Sequence, residues 1–179
     1  MSLVAALRLM ARNNRYANAE LGRAAVALGP DWAAKGVSFF PSIKLTLEHI
    51  LLVDRYYLDA VEEGGRGRAV RNDPGEFDTP EAFVAAQEAE DMRLIRFCDG
   101  LTEADLARTV ATDRGEAGRV PERIDALLIH LMMHDVHHRG QIHAMLAGTS
   151  VAPPQLDDFF LEFGRTEPAI RAMAIPAPA

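Results

Sequence analysis

Five of the six histidines fall within 14 residues: His130, His134, His137, His138 and His143. At about 100° per residue on a helix, His134 and His138 stand one turn apart on one face, with Leu127, Leu131, Gln141 and Met145 within about 60°. His130 shares that apolar face one turn earlier, His137 lies nearer its edge, and His143 points away. The sixth, His49, interrupts a second apolar stripe made of Leu45, Leu52, Val53 and Tyr56. A His-x3-His pair joined by a third imidazole from a neighbouring helix can hold a divalent transition metal. Three neutral nitrogens then leave a coordination position for water or substrate, whereas a closed structural site takes four protein ligands. Imidazoles suit zinc, nickel, iron(II) or copper rather than magnesium or calcium. The spacing fits hydrogen-bonded core histidines as well.

Two other metal templates fit less well. The zincin helix needs His-Glu-x-x-His, and here Asp135 follows His134 where glutamate belongs. A carboxylate-bridged di-iron bundle needs Glu-x-x-His, which occurs nowhere in the chain. Cys98 has no catalytic signature around it and reads as a small core residue. Arg66, Arg68 and Arg71 stand in a Gly-rich loop, where they either meet an anionic substrate or face solvent. Gly140, inside a helix, is expected to let another segment pack closely. Arg139 falls about 140° from His134 and reads as structural or interfacial.

The elements that must position these groups are helices. The chain has 179 residues, 49% hydrophobic and 25% charged, which fits one soluble domain with its own core. A first helix is expected from Leu3 to Leu28, with Leu3, Leu7, Met10, Asn14, Ala17, Leu21, Ala25 and Leu28 on one face and Gly29-Pro30 ending it. Ser42 caps a second helix running to about Glu63, and residues 64–78 read as a surface loop. Thr79-Pro80-Glu81 starts a third that ends near Gly100, and Thr102 to Asp105 forms a capped single turn. Arg108 to Thr112 reads as a strand, half of a hairpin whose tip is Asp113 to Gly118. Pro121 is expected to open the last long helix, to about Leu146, with a helical turn around Leu156 to Phe163. The predicted fold is therefore all-α: a four-helix bundle with a short extra helix and a small hairpin before the last long helix. It spans residues 1–167 as one domain, followed by a mobile Ala/Pro-rich tail over 168–179.

The one cysteine excludes an internal disulfide and a Cys-rich zinc module. A net charge of −7 argues against nucleic acid or an anionic membrane as partner. No apolar run is long enough to span a bilayer, and Arg8 arrives before a secretory core can form, so a cytoplasmic location is expected.

The segment His134-Asp135-Val136-His137-His138-Arg139-Gly140-Gln141 resembles the His-x-x-His-His-Arg-Gly-Gln signature of the DinB/YfiT-like superfamily. Asn14-Arg15-Tyr16-Ala17-Asn18 resembles its Asn-x-aromatic-x-Asn segment, with tyrosine where tryptophan is common. Ser42-Ile43-Lys44-Leu45-Thr46-Leu47-Glu48-His49 resembles its Ser-Ile-x-x-Thr-Leu-x-His segment, and Pro153-Pro154-Gln155-Leu156-Asp157 is family-like too. The resemblance covers roughly residues 7 to 160 and implies His49, His134 and His138 as metal ligands, the same three that the helical faces bring forward. It implies a divalent metal, zinc first with nickel or iron as alternatives, and pairing into a homodimer. It also implies a metal-dependent enzyme such as a low-molecular-weight-thiol S-transferase, with the thiol as a second bound molecule. A non-catalytic metal- or ligand-binding stress protein and a metal-dependent hydrolase are the other readings.

Overall fold

Four helices of 19 to 26 residues make the frame: α1 (Leu3–Leu28), α2 (Ile43–Val61), α3 (Pro80–Gly100) and, after a one-turn α4 (Glu103–Leu106) and a hairpin, α5 (Ile124–Leu146). The computed structural model describes every residue except 73, 74, 76, 157, 158, 160–162, 164 and 175–179. Helix starts follow local side-chain chemistry. Ser42 Oγ accepts from the Leu45 N–H (3.1 Å), and Thr79 Oγ1 accepts from the Ala82 N–H (3.2 Å), with Pro80 at the first helical position. Thr102 and Asp105 cap α4 reciprocally. Each such cap satisfies amide groups that the helix cannot pair internally.

α1 packs mainly on α3 and α2 mainly on α5, while α1–α5 and α2–α3 contacts close the ring. Consecutive α1 and α2 therefore lie on a diagonal, joined across one end by a 3-10 turn (Gly29–Ala33) and the 34–42 segment. The core has two apolar halves. Leu7, Leu58, Leu94, Ile124 and Leu131 belong to one, and Leu21, Leu47, Leu51, Phe83 and Ile142 to the other. Between them each long helix contributes buried polar groups: Asn14 and Asn18, Asp54, Gln87 and Asp91, Asp135 and Arg139. The buried face of α1 is turned slightly from the expected one: Val4 and Ala11 are buried, whereas Leu3 is 38% exposed.

Strands β1 (Thr109–Asp113) and β2 (Arg119–Arg123) pair antiparallel around a 3-10 tip at Gly115–Ala117. Pro121 does not open the last helix. It stands in β2 opposite Ala111, and α5 begins three residues later at Ile124. A two-stranded sheet consists only of edges, so a residue without an N–H is tolerated there. The 64–78 loop contains a 3-10 helix, Gly67–Asn72, and α2 ends at Val61 rather than Glu63. The expected tail contains a further helix, α6 (Glu167–Met173), with Ala169 and Ala172 buried against α1. The turn expected around Leu156 to Phe163 lies partly outside the described residues, but Phe159 is fully buried with its ring 5.5 Å from that of Tyr16. Among the described residues no helix is long and apolar enough to cross a membrane.

Candidate metal centre

His49 on α2 and His134 and His138 on α5 meet where these two helices pack. One ring nitrogen from each lies within 4.8 Å of the others, and His49 Nε2 is 3.0 Å from His134 Nε2. The cluster is part-buried, with His138 only 7% exposed, and does not occupy the centre of the bundle. His49 and His134 are half-buried, and the centres of the two inward faces are taken by Asp54 and Asp135, with 2% and 0% exposure. His130, also expected to face inward, is exposed, with its ring 5.2 Å from that of Tyr57.

The outer nitrogens of two histidines are already engaged. His134 Nδ1 lies 3.2 Å from Asp135 Oδ1, and His138 Nδ1 lies 2.9 Å from Gln141 Oε1. With Asp135 and Gln141 accepting from Nδ1–H, each imidazole would present an Nε2 lone pair to the cluster, the orientation a metal ligand needs. Burial, followed by the charges of His134 and His138, lowers the His49 pKa to about 4, and burial also lowers that of His134 to about 4. These imidazoles are neutral at pH 7 and ready to donate. Zinc–nitrogen bonds of about 2.0–2.1 Å at tetrahedral angles separate ligand nitrogens by roughly 3.3 Å. The 3.0 Å approach of two basic nitrogens fits a shared cation of that size.

Phe40 covers the cluster on one side, its ring 4.4 Å from His49 and 5.7 Å from His138. It is held by the 36–41 turn, where the Gly36 N–H donates to Pro41 O (2.9 Å). A Cβ at Gly36 would come within 2.8 Å of Met145 Sδ, so a larger residue there would displace the Met145 side chain. On the other side a cavity of about 290 Å³ opens from His49 and His134 between Leu52, Val53, Tyr56 and Tyr57, with Arg71, Arg114 and His130 completing its lining.

Behind His134 lies the polar layer. Asp91 Oδ1 accepts from Asn18 Nδ2 (2.8 Å) and Gln87 Nε2 (3.2 Å), and Gln87 Nε2 also donates to Asp54 Oδ2 (2.8 Å). Arg139 Nη1 donates to Asn14 Oδ1 and to Asn18 Oδ1 (3.2 Å). One guanidinium faces three buried carboxyl groups, and an uncompensated buried charge is costly. Burial accordingly raises Asp91 to about 8, Asp135 to about 7 and Asp54 well above the usual carboxylate range. Arg139 opposes the rise most directly at Asp135, the carboxyl that His134 contacts.

Several of the smaller expectations can be placed. Arg139 is structural and only 5% exposed, so it is not available to a docking partner. Asn14, on the expected face of the first helix, is fully buried and its Oδ1 accepts from Arg139 Nη1. Among the described residues a Cβ at Gly140 would meet nothing within 4 Å, so none of them packs closely there as expected. His143 points away from the cluster and its Nε2 lies 3.1 Å from Pro154 O. Cys98 is a core residue whose thiol burial pushes up to about 12. The sequence reading missed Asp135 as the partner of His134, Phe40 as a cover and Tyr57 as a wall. Only Asp135 had a local signal, its adjacency to His134.

The DinB family model matches residues 2–169 of the chain. No curated protein matches it.

Proposed function

The chain belongs to the DinB family, and we propose that it is a divalent-metal-dependent enzyme that transfers a low-molecular-weight thiol to an electrophile. The observation that carries this reading is the convergence of three imidazoles, two with their outer nitrogens already held, at the mouth of a substrate-sized cavity. His49, His134 and His138 would hold the ion, zinc in the first instance with nickel or iron as alternatives. When bound, a divalent ion supplies a Lewis acid that favours the ionised form of a neighbouring thiol. Asp135 and Gln141 keep the imidazoles aimed, and Phe40 keeps water from one side of the cluster. The thiol must come from outside, because Cys98 is buried and its thiol is held protonated. A cytoplasmic location, where such thiols are plentiful, and pairing into a homodimer belong to the same reading.

The test uses cobalt-loaded protein and 2-mercaptoethanol. A thiolate-to-cobalt charge-transfer band is expected, together with conjugation of the thiol to 1-chloro-2,4-dinitrobenzene. Both should be lost in His134→Ala. A cobalt-loaded protein that gives no band would overturn the thiol reading and leave metal-dependent hydrolysis or non-catalytic binding.

A further inference from the structure

The cavity beside the histidines has two arginines in its lining, and they differ in a way that bears on the substrate. Arg114 is already neutralised. Its Nε and Nη2 each donate to Glu122 at 2.9 Å, and its Nη1 donates to the Tyr57 hydroxyl at 3.2 Å. Arg71 lies over the Tyr56 ring, 5.8 Å from its centroid, and has no carboxylate within ion-pair distance among the described residues. Of the three arginines in this loop it alone lines the cavity. A cation without an ion-pair partner among the described residues runs against the composition of a chain with 26 acidic and 19 basic residues.

Arg71 is itself exposed, but the backbone that bears it is anchored. The 3-10 helix that bears it is anchored by the Gly67 N–H on Asp59 Oδ2 (2.7 Å) and the Arg68 N–H on Asp113 Oδ2 (3.0 Å). Val70, next to Arg71, is 1% exposed within the core. Gly67 has φ +51, and a Cβ there would come within 2.8 Å of Asp113, so the turn is built for one conformation. Tyr56, the ring beneath the guanidinium, is itself held by its hydroxyl donating to Asp113 O.

We infer that Arg71 is the anion-recognition group of this site, and that the small molecule bound in the cavity carries a carboxylate. This rests on reading the histidine cluster as a metal site for thiols. A guanidinium offers a planar fork that a carboxylate matches in two parallel hydrogen bonds, and an unpaired one loses no existing partner on binding. Leu52, Val53 and the tyrosine rings in the lining suit a short aliphatic chain. About 290 Å³ is at the small end of ligand cavities and holds a molecule of a few heavy atoms rather than a long peptide. Tyr57 already accepts from Arg114, so its own hydroxyl proton is free to support the bound anion.

The test compares 3-mercaptopropionate with 2-mercaptoethanol, which differ by the carboxylate. With cobalt-loaded protein, titration of the charge-transfer band should give 3-mercaptopropionate an affinity roughly fivefold higher, the scale of a partly exposed ion pair. Because 3-mercaptopropionate can also chelate the metal through its carboxylate, the variant decides. Arg71→Gln should bring the ratio to about one while leaving 2-mercaptoethanol binding unchanged. A preference that survives in Arg71→Gln overturns the inference, as does equal affinity in the unsubstituted protein. A second arm does not depend on metal. In chelator-stripped protein, 3-mercaptopropionate should shift the Arg71 Nε–H resonance in nitrogen–proton correlation spectra, and 2-mercaptoethanol should not. No shift overturns the inference even if the cobalt band forms. A shift without any cobalt band leaves the anion site standing and removes the thiol–metal reading alone.

Discussion

At His134 the two ring nitrogens have separate tasks: Nδ1 meets Asp135 and Nε2 faces His49. Asp135, accepting from Nδ1–H, would leave Nε2 free for a metal, and its effect should be measurable without touching a ligand. Asp135→Asn keeps the volume but replaces the carboxyl with a neutral amide, and zinc affinity should fall roughly 10- to 100-fold, the usual range for such supporting groups. Competition with a chromophoric chelator measures this, and an unchanged affinity would show that Asp135 serves the core alone. Changing His49, His134 or His138 to alanine should abolish stoichiometric zinc in elemental analysis. His143→Ala should leave zinc intact, since that imidazole is engaged at Pro154 on another side of α5. Equal losses from His143→Ala and His134→Ala would show that the wrong face of α5 has been assigned.

At the level of the helices, the polar layer is the main feature that local pattern did not reveal. Caps at Ser42, Thr79 and Thr102 were legible because each depends on residues within four positions. The His134/His138 pair was legible for the same reason, one helical turn being a local distance. The centre of each buried face was not. Asp54 and Asp135 look like surface aspartates until α2 and α5 are packed together, and Gln87 and Asp91, which also bond to each other, gain their remaining partners from α1 and α2. Pro121 misled because a preference for first helical positions is local, whereas its pairing with Ala111 is made across the hairpin. The layer has a pH signature of its own. Asp91 keeps its proton to about pH 8 in the fold, against an ordinary value of 3.8. Its contribution to stability is complete below 3.8 and is lost as pH rises towards 8, because the unfolded chain releases that proton earlier. Asp91→Asn cannot titrate, so urea denaturation should show the variant gaining on the unsubstituted protein between pH 4 and pH 8. A difference that stays constant over that range would place the Asp91 pKa near its ordinary value.

For the whole molecule, a metal held between α2 and α5 joins two of the four helices and should stabilise the bundle. At a zinc concentration of about 1,000 times Kd the linkage is worth roughly 4 kcal/mol, which for a chain of this size raises Tm by roughly 10 °C. Thermal melts with zinc and with excess chelator should differ by that order, and melts of His49→Ala should not. His49, His134 and His138 should be the ligands of a single divalent ion with a position left open. Anomalous diffraction at the zinc absorption edge, on crystals of the zinc-loaded protein, tests it most directly. One peak is expected about 2.0–2.1 Å from a nitrogen of each of these three imidazoles, with no fourth side chain bound. Three imidazoles with no peak between them, or a zinc ion closed off by a fourth protein ligand, would contradict it.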